Sequence, residues 1–370
     1  MVAREQFNGS RCCILILLWK TGYIELLYSL RIALEIRRVQ VTGGNSFVVS
    51  LPKSWVKDVG LKAKDSVQVL PQADMSLLIV PTRDFAEAEK SEATIEITQE
   101  TDKDAALRLF ISYYLAGYDI VRLRSARYDP GLRSYMREAI RRKLVGIEII
   151  EENANGMTTQ CLSGYADLPL KKALERMSIV VSGMVKDAVA ALRAGDDGLA
   201  GEVVARDDEV DRFYHFILRQ LNLAVRNRSI IENIGLTSAR DCLGYRLAVK
   251  SVERVGDHAA AVAGLVSGVR EGAAEKAMKE VEKMSDLSLK AFGDSVSSLL
   301  RLDRKLANEA IGLTRRVKEL DEKISGELLA LKTDPDTFGS IKLILESIRR
   351  VGEYGSDIAE IAVDLTVKEP

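Results

Sequence analysis

The chain has 370 residues, with 53 basic and 54 acidic side chains, and 47% of its residues are hydrophobic. At about 100–200 residues per domain this length predicts two or three domains, and the composition excludes wholesale disorder and collagen-like chains. The four cysteines form no CxxC pair, which excludes a disulfide framework and a zinc-finger spacing and fits a reducing compartment; we expect a cytoplasmic protein.

The first 34 residues contain two apolar stretches, at 14–19 and 23–34, and the second is interrupted by Glu25 and Arg31. Each is shorter than the roughly 20 apolar residues of a membrane-spanning helix, and no small-residue cleavage site follows them. We interpret residues 1–34 as an N-terminal extension outside the organised sequence and expect no stable membrane insertion.

Residues 35–84 have the pattern of a small β domain. Alternating residues predict strands at 37–42 and 47–51 around the turn residues Gly43 and Gly44, then strands at 67–70 and 77–80 around a turn at 73–74. A phosphate-binding loop is excluded because no Gly-Lys-Ser/Thr follows the glycine pair. Four short strands cannot bury a useful core alone, so we expect them to pair with another chain or domain.

This β segment also carries a recognisable series of motifs: Leu-Pro-Lys at 51–53, Gly-Leu at 60–61 and Asp-Ser-Val at 65–67, after the alternating first strand. It resembles the AbrB/SpoVT family of swapped-hairpin domains. The resemblance implies a dimer whose interleaved hairpins form a small β-barrel and present basic residues to DNA. The positions carried over for contacts with the DNA backbone are Arg37, Arg38, Lys53 and Lys57.

The charge of this segment agrees with DNA contact. Residues 35–57 contain four basic side chains and one acidic side chain, a formal charge of +3 that suits phosphate neutralisation. The alternative is an AbrB-type fold used only for dimerisation, in which the arginines are solvated strand ends.

Residues 92–163 predict a small α+β domain. The pattern gives strands at 93–98 and 118–123, helices at 102–117 and 130–144, and a final hairpin, 146–150 and 157–161, turning at Asn155-Gly156. Residues 101–147 contain ten basic and five acidic side chains, and Arg137, Arg141 and Arg142 lie close together on one helix. This helix could widen a DNA footprint or bind an anion; we favour a solvated face.

The remaining part of the chain predicts helices and contains an internal duplication. Met177 and Asp187 recur as Met284 and Asp294, displaced by 107; residues 206–211 align with 320–325, displaced by 114; residues 251–258 align with 347–354, displaced by 96. The displacements of 107 and 114 differ by seven residues, which corresponds to about two helical turns. We predict two copies of a three-helix unit, residues 167–271 and 274–368.

In the first copy, residues 207–211 read Asp-Asp-Glu-Val-Asp and residues 253–258 read Glu-Arg-Val-Gly-Asp-His. With the duplication, these acidic motifs make the C-terminal half resemble the PhoU family of phosphate-homeostasis regulators. The resemblance implies repression of phosphate uptake when phosphate is sufficient, through contact with a phosphate ABC transporter or its signalling components. The predicted fold class is multidomain α+β: a swapped-hairpin β-barrel, a small α+β domain and all-α tandem three-helix bundles.

The acidic motifs also predict chemistry without the family. Carboxylates four residues apart share a helix face, with Cβ atoms about 5–6 Å apart. Two such pairs on adjacent helices would place Asp207, Asp211, Glu253 and Asp257 around one oxygen-rich site. Because clustered carboxylates raise one another's pKa, we expect a metal ion or arginines beside them.

Oxygen ligands favour Mg²⁺ or Mn²⁺, whereas a histidine would extend the choice to iron, zinc or nickel. His215 follows Asp211 by four residues and is a further candidate ligand; His258, next to Asp257, is a weaker one. The alternative is a solvated acidic face in which Arg206 and Arg254 make surface pairs.

The second copy departs from this pattern. In the alignment displaced by 114, Ser325 replaces Asp211, and in the alignment displaced by 96, Arg349 and Glu353 replace Glu253 and Asp257. We expect this copy to bind metal weakly or not at all, with Arg349 neutralising its remaining acids.

The sequence contains no nucleophile elbow, Walker motif, dinucleotide fingerprint or zinc-protease helix, so we expect no enzyme. We predict a DNA-binding regulator of phosphate uptake, negative in sign and dimeric or larger. The main alternative is an adaptor that docks on transporter components and uses its AbrB-type domain only to dimerise. A second alternative is a metal-storage or hydrolytic helical bundle.

Overall fold

The computed structural model describes residues 35–44, 46–71, 75–82, 90–98, 100–125, 129–162, 164, 168–269, 275–330 and 335–367. The predicted extension at 1–34 and the turn at 73–74 lie outside the described residues. The chain divides into two compact units, Met1–Ala88 and Glu89–Pro370. The fold class is confirmed as multidomain α+β.

The first unit consists of two antiparallel hairpins and a short helix. Strands β1 (Gln40–Thr42) and β2 (Ser46–Val48) pair with Val41 opposite Phe47, and β3 (Val67–Pro71) pairs with β4 (Leu77–Pro81). Helix α1 (Lys53–Asp58) follows Pro52.

None of the described residues of this unit is buried, and Phe47 is 77% exposed. The apolar side chains of these strands are therefore not buried in a core within one copy of the unit. The closed barrel, which needs a second copy, stays a prediction.

The second unit begins with a four-stranded sheet. Its strands are β5 (Glu92–Ile97), β6 (Ile120–Ser125), β7 (Ile147–Asn153) and β8 (Gly156–Cys161), in the order β5-β6-β8-β7, with β5 and β6 parallel and the other pairs antiparallel. The helices are α2 (Lys103–Ala116) and α3 (Pro130–Lys143), and Asp102 and Asp129 cap their N-termini. The predicted small α+β domain is therefore present; below we call it the middle region.

The hairpin turn lies one residue earlier than predicted, because Ala154 and Asn155 form the turn and Gly156 already belongs to β8. Gly156 has φ +159°, and a Cβ there would lie 2.0 Å from the carbonyl oxygen of Leu123. Only glycine fits this close approach of two strands.

Helices occupy the rest of the second unit. The first copy contains α4 (Leu170–Ala194), α5 (Asp197–Arg226), the short α6 (Arg228–Asn233) and α7 (Ala239–Ala263); the second contains α8 (Glu275–Arg301), α9 (Arg304–Ala330) and α10 (Pro335–Leu365). We call these copies repeat 1 and repeat 2. Helices α7 and α10 pack on each other, and the buried apolar residues of both repeats form one core.

The alignment displaced by 114 is wrong. Helices α5 and α9 begin 107 residues apart, the same displacement that relates α4 to α8, and the caps Asp196 and Asp303 repeat it. A Cβ on Gly256 would contact Val210, and a Cβ on Gly352 would contact Val317. These two valines are again 107 residues apart. The length difference lies after the second helix, where repeat 1 contains α6 and a longer connection.

Among the described residues, no helix combines the length and the apolar content that crossing a bilayer requires.

Candidate functional site

The predicted acidic residues of repeat 1 lie on two helices that pack together. Asp207 and Asp211 are on α5, and Glu253 and Asp257 are on α7. The helices approach closely because Gly256 has no side chain: a Cβ there would lie 3.2 Å from Val210. We call these four carboxylates the acidic cluster.

The electrostatics show that the four carboxylates act on one another. Burial, followed by the negative charges of Asp257, Asp211 and Glu253, raises the pKa of Asp207 to about 6. Burial is also the main cause that raises the pKa of Glu253 and of Asp257. Burial and the neighbouring carboxylates thus both disfavour the charged form of Asp207.

Two lysines each bind one carboxylate of the cluster. Lys143, the last residue of α3, donates from Nζ to Oδ2 of Asp211 at 2.7 Å. Lys250 on α7 donates to both carboxylate oxygens of Glu253 at 2.5 Å and lies 5.1 Å from the ring centroid of Tyr214. Asp207 and Asp257 have no ion pair with a described residue.

The donor set fits a hard divalent cation in its chemistry, because it consists of carboxylate oxygens in charge excess. Among the described residues, however, no three acidic, histidine or cysteine side chains are arranged as a metal site. Two of the four carboxylates, Asp211 and Glu253, are bound by lysine ammonium groups instead.

The two histidines differ in their surroundings. Nδ1 of His215 lies 3.2 Å from the carbonyl oxygen of Lys143, which can only accept, so Nδ1 carries the proton and Nε2 is the nitrogen left for a ligand. Burial lowers the pKa of His215. His258 instead lies against Tyr354 of α10, with ring centroids 5.7 Å apart.

Repeat 2 lacks the acidic cluster, because three of the four equivalent positions carry a neutral or basic residue. With the displacement of 107, residues 314–318 (Thr-Arg-Arg-Val-Lys) stand where 207–211 (Asp-Asp-Glu-Val-Asp) stand in repeat 1. Thr314 thus replaces Asp207, and Lys318, rather than Ser325, replaces Asp211. Arg349 and Glu353 replace Glu253 and Asp257, as predicted.

The predicted neutralising role of Arg349 is confirmed. Its Nε lies 3.2 Å from Oδ2 of Asp321, and it also pairs with Glu353. Lys342 approaches the other oxygen of Asp321 at 3.1 Å. Asp321 stands where Tyr214 stands in repeat 1, and it is nearly buried at 7% exposure, so these two cations neutralise it.

The predicted DNA-contacting residues are all exposed and lie in the first unit. Arg37 and Arg38 precede β1, and Arg37 pairs with Glu35. Lys53 and Lys57 are four residues apart on α1 and therefore share a helix face.

Sequence reasoning missed the residues that join the middle region to repeat 1. Arg219 of α5 is 4% exposed and donates to the carbonyl oxygens of Tyr114 at 2.5 Å, Tyr118 at 2.9 Å and Gly117 at 3.2 Å, at the end of α2. A positive charge at a helix C-terminus is favourable because the exposed carbonyls carry negative partial charge. The signal in the sequence was Arg219 itself, an arginine within the mostly apolar run 216–221, which indicates a buried charge with a partner.

The basic end of α3 is a further part of this interface. Arg142 lies 3.2 Å from Asp208, and Lys143 bonds Asp211 of the same helix α5. Arg137, also on α3, pairs instead with Glu152 of β7. Two cations of the helix that we interpreted as a solvated face thus contact repeat 1.

The fold and site define a class: a tandem three-helix-bundle protein with an acidic cluster in one repeat and a neutralised one in the other. The PhoU domain model matches residues 174–266 and 281–362, and the model of the bacterial antitoxin MazE (antidote-toxin recognition) matches residues 40–87. The helical half is therefore similar to the PhoU domain family, and the first unit to MazE/AbrB-like domains, as both resemblances predicted.

Individual relatives match the same half. The chain is 24% identical over 205 residues to a phosphate-specific transport system accessory protein PhoU homolog of Pseudomonas putida, covering 53% of this chain and 77% of that protein. It is 26% identical over 221 residues to the homolog of Caulobacter vibrioides, covering 55% and 90%. The crystal structure of PhoU from Pseudomonas aeruginosa matches with a TM-score of 0.48 at 25% identity, covering 53% of this chain and 95% of that one.

Proposed function

We propose that this protein is a DNA-binding negative regulator of phosphate uptake and phosphate homeostasis, located in the cytoplasm and acting as a dimer or larger assembly without catalytic activity. The observation that carries the proposal is the presence in one chain of a MazE/AbrB-like unit and two PhoU domains. The relatives' names connect the second part to phosphate transport.

The first unit supports a DNA-contacting dimer. Its described residues include no buried side chain, so apolar strand residues such as Val41 and Phe47 need a partner, and a second copy supplies identical hairpins. Arg37, Arg38 and Lys53 are exposed, and Arg37 would exchange its exposed partner Glu35 for a phosphate. Dimerisation would bring two sets of these cations onto one DNA duplex.

The DNA contact is tested with the full chain and duplex DNA from its own upstream region, against scrambled DNA at several salt concentrations. We expect preferential binding that the Arg37→Ala/Arg38→Ala/Lys53→Ala variant loses, with a smaller salt slope because each lost phosphate contact removes about 0.9 from it. The matched control is Arg315→Ala/Arg316→Ala/Lys318→Ala, which removes the same charge from exposed positions of α9. Equal, weak binding by all three proteins would contradict promoter recognition.

That outcome would favour the adaptor function, in which the first unit only dimerises and the PhoU domains dock on phosphate transporter or signalling components. The relatives' names favour this second candidate, since they describe transport accessory proteins. The adaptor function predicts DNA affinity no higher than that of a charge-matched control.

We also propose that the acidic cluster binds a divalent or iron-type cation, with Asp207, Asp211, Glu253 and Asp257 as ligands and Nε2 of His215 as a further one. Burial and then the repulsion of the neighbouring carboxylates raise the pKa of Asp207 to about 6, and a bound cation would relieve the repulsion. Mg²⁺ and Mn²⁺ suit the carboxylates; iron, zinc and nickel also suit a histidine. When bound, the ion would supply charge neutralisation that changes how α5 and α7 pack.

Cation binding is tested with Mn²⁺ and the full chain by titration calorimetry. Asp257→Ala should lower the bound Mn²⁺, whereas Arg349→Ala, at the equivalent part of repeat 2, should leave it unchanged. Equal loss in both variants would show that the acidic cluster of repeat 1 is not the site.

A further inference from the structure

The sheet of the middle region carries an open hollow on one face. Its volume is about 530 Å³, within the range of about 300–1,000 Å³ that small-molecule sites have. Strand β8 forms the floor with Gly156 and Thr158, because the register places these two small residues between longer side chains of the neighbouring strands. Gly156 is paired with Arg124 of β6 and Asn153 of β7, and Thr158 is paired with Arg122 of β6 and Glu151 of β7.

The two walls of this hollow carry opposite charge. On the β6 side, Arg122 lies 3.0 Å from Glu92 of β5, whereas Arg124 has no ion pair with a described residue. On the β7 side, Glu151 accepts a hydrogen bond from the neutral amide of Asn153 at 3.3 Å and has no ion pair within the described part of the chain. A guanidinium and a carboxylate without ionic partners therefore lie on either side of β8, on strands about 10 Å apart.

A buried hydroxyl group in the floor is the second observation. Thr158 is 7% exposed, and its hydroxyl makes no hydrogen bond with a described residue. The next residue, Thr159, is buried on the opposite face of the sheet and donates to the carbonyl oxygen of Val121 at 3.0 Å. Buried polar side chains are in the large majority hydrogen-bonded. The floor thus presents a hydroxyl group that needs a partner, between the two charged walls.

We propose that this hollow binds a small zwitterion of the α-amino acid class. The carboxylate of the ligand is bound by Arg124, its ammonium group is bound by Glu151, and the hydroxyl of Thr158 bonds to the carboxylate. A simple anion fits less well, because Glu151 and also Glu96, which lies opposite Arg124 on β5, repel it. A simple cation is repelled in the same way by the two arginines.

The spacing of the walls limits the length of the ligand. Arg124 and Glu151 line the hollow from strands about 10 Å apart, so their long side chains occupy much of its width. An α-amino acid carries both charged groups on one carbon atom and therefore fits the remaining gap. Because the hollow is open to solvent, the charged groups of the ligand determine binding more than its side chain does.

Titration calorimetry of the full chain with the standard amino acids, one at a time, tests the site. We expect at least one to bind. Its amide derivative, which lacks the carboxylate, and its N-acetyl derivative, which lacks the ammonium group, should bind about tenfold more weakly, as should the free amino acid to Arg124→Gln and Glu151→Gln, because each change removes a charge-assisted hydrogen bond. Thr158→Val, which replaces the hydroxyl by a methyl group, should lower the affinity about threefold.

The matched controls are Arg141→Gln and Glu148→Gln, which remove the same charges from exposed residues of the middle region that do not line the hollow. Their affinities should stay within about twofold of the original, because water and salt screen distant exposed charges. Thermal unfolding without ligand checks that each variant folds. Thr158→Val should be no less stable than the original chain, since it removes a hydroxyl that has no partner.

Several outcomes would overturn the proposal. One is that none of the amino acids binds, and another is that the N-acetyl derivative binds as tightly as the free amino acid. A third is that inorganic phosphate binds more tightly than any amino acid and is lost in Arg124→Gln but not in Glu151→Gln, which would indicate an anion site. Binding that both of these variants weaken and both controls retain would support it. The experiment uses neither DNA nor a metal ion, so its result is independent of the functions proposed above.

Discussion

Repeat 1 and repeat 2 have the same packing and opposite electrostatics. Val210 and Val317 occupy equivalent places against Gly256 and Gly352, and aspartates cap the second helix of each. On that shared framework, residues 207–211 contain four acids, whereas 314–318 contain three basic residues and no acid. The difference shows that duplication preserved the buried contacts while the partly exposed positions between them diverged.

The repeats also differ in the origin of their neutralising cations. In repeat 2, Lys342 and Arg349 belong to α10 of the same repeat and bind Asp321. In repeat 1, one of the two lysines comes from the middle region. Asp321 of repeat 2 is thus neutralised within its own repeat, whereas part of the neutralisation in repeat 1 comes from another domain.

The largest expected effect concerns the interface that repeat 2 lacks. Gly326 occupies the position equivalent to Arg219, and among the described residues the arginine contacts with the end of α2 come from repeat 1. Arg219→Met leaves several buried carbonyl oxygens without a charged donor, and we expect the free energy of unfolding to fall by about 3 kcal/mol. Urea titration of the full chain measures it.

The control for Arg219 is Arg226→Met, which removes an exposed arginine bound to Ala116 of the same helix end at 3.1 Å and should cost less than about 1 kcal/mol. Equal losses of unfolding free energy in both variants would mean that the burial of Arg219 does not determine its contribution to stability.

A smaller effect, an increase in the free energy of unfolding, is expected when Asp207 is substituted. The folded chain holds its pKa at about 6, above the ordinary value of 3.8, so between pH 4 and 6 the folded state binds more protons than the unfolded state. The free energy of unfolding must then fall as the pH rises through this window. Asp207→Asn removes this penalty, and we expect stabilisation by about 1.5 kcal/mol at pH 7.5, after discounting for partial exposure, and almost none at pH 4.

Thermal unfolding at the two pH values measures the difference. Asp286→Asn, at an exposed position of α8, is the matched control and should change stability at neither pH. A destabilised Asp207→Asn protein at pH 7.5 would contradict the penalty that burial and the neighbouring carboxylates impose on charged Asp207.

The smallest expected effect on stability tests whether the helix caps of repeat 1 and repeat 2 are equivalent. Asp196 accepts from the backbone N–H of Leu199 at 3.0 Å, and Asp303 accepts from that of Leu306 at 3.1 Å. We expect Asp196→Ala and Asp303→Ala each to lower the free energy of unfolding by about 1 kcal/mol. Denaturant titration measures both; a cost confined to one would show that the caps are not equivalent.

Much of the fold follows from local pattern. The helices and strands of the middle region lie within a few residues of their predicted bounds, because Asp102 and Asp129 cap the helices and alternation defines the strands. The predicted displacement of 114 is wrong because it rests on a short match between acidic residues, whereas the helix caps Asp196 and Asp303 are 107 residues apart. Aligning Asp196 with Asp303 would have produced the correct displacement.

The acidic residues could be grouped from sequence because each pair lies within one helix, where a spacing of four places both on one face. The neutralising residue Lys143 could not, because it is 68 residues from Asp211 and reaches it through the packing of another domain. Arg349, four residues from Glu353, was predictable for the same local reason as the acids.

The sequence by itself determined the elements, the duplication and the acidic faces of two helices, since these depend on periodicity and on neighbours within about one turn. Only the tertiary structure decided which charges meet: Lys143 with Asp211, Arg219 with the end of α2, and Arg349 with Asp321. Ion pairs across elements depend on how whole surfaces pack, and burial and electrostatic repulsion then determine which carboxylates stay without a partner.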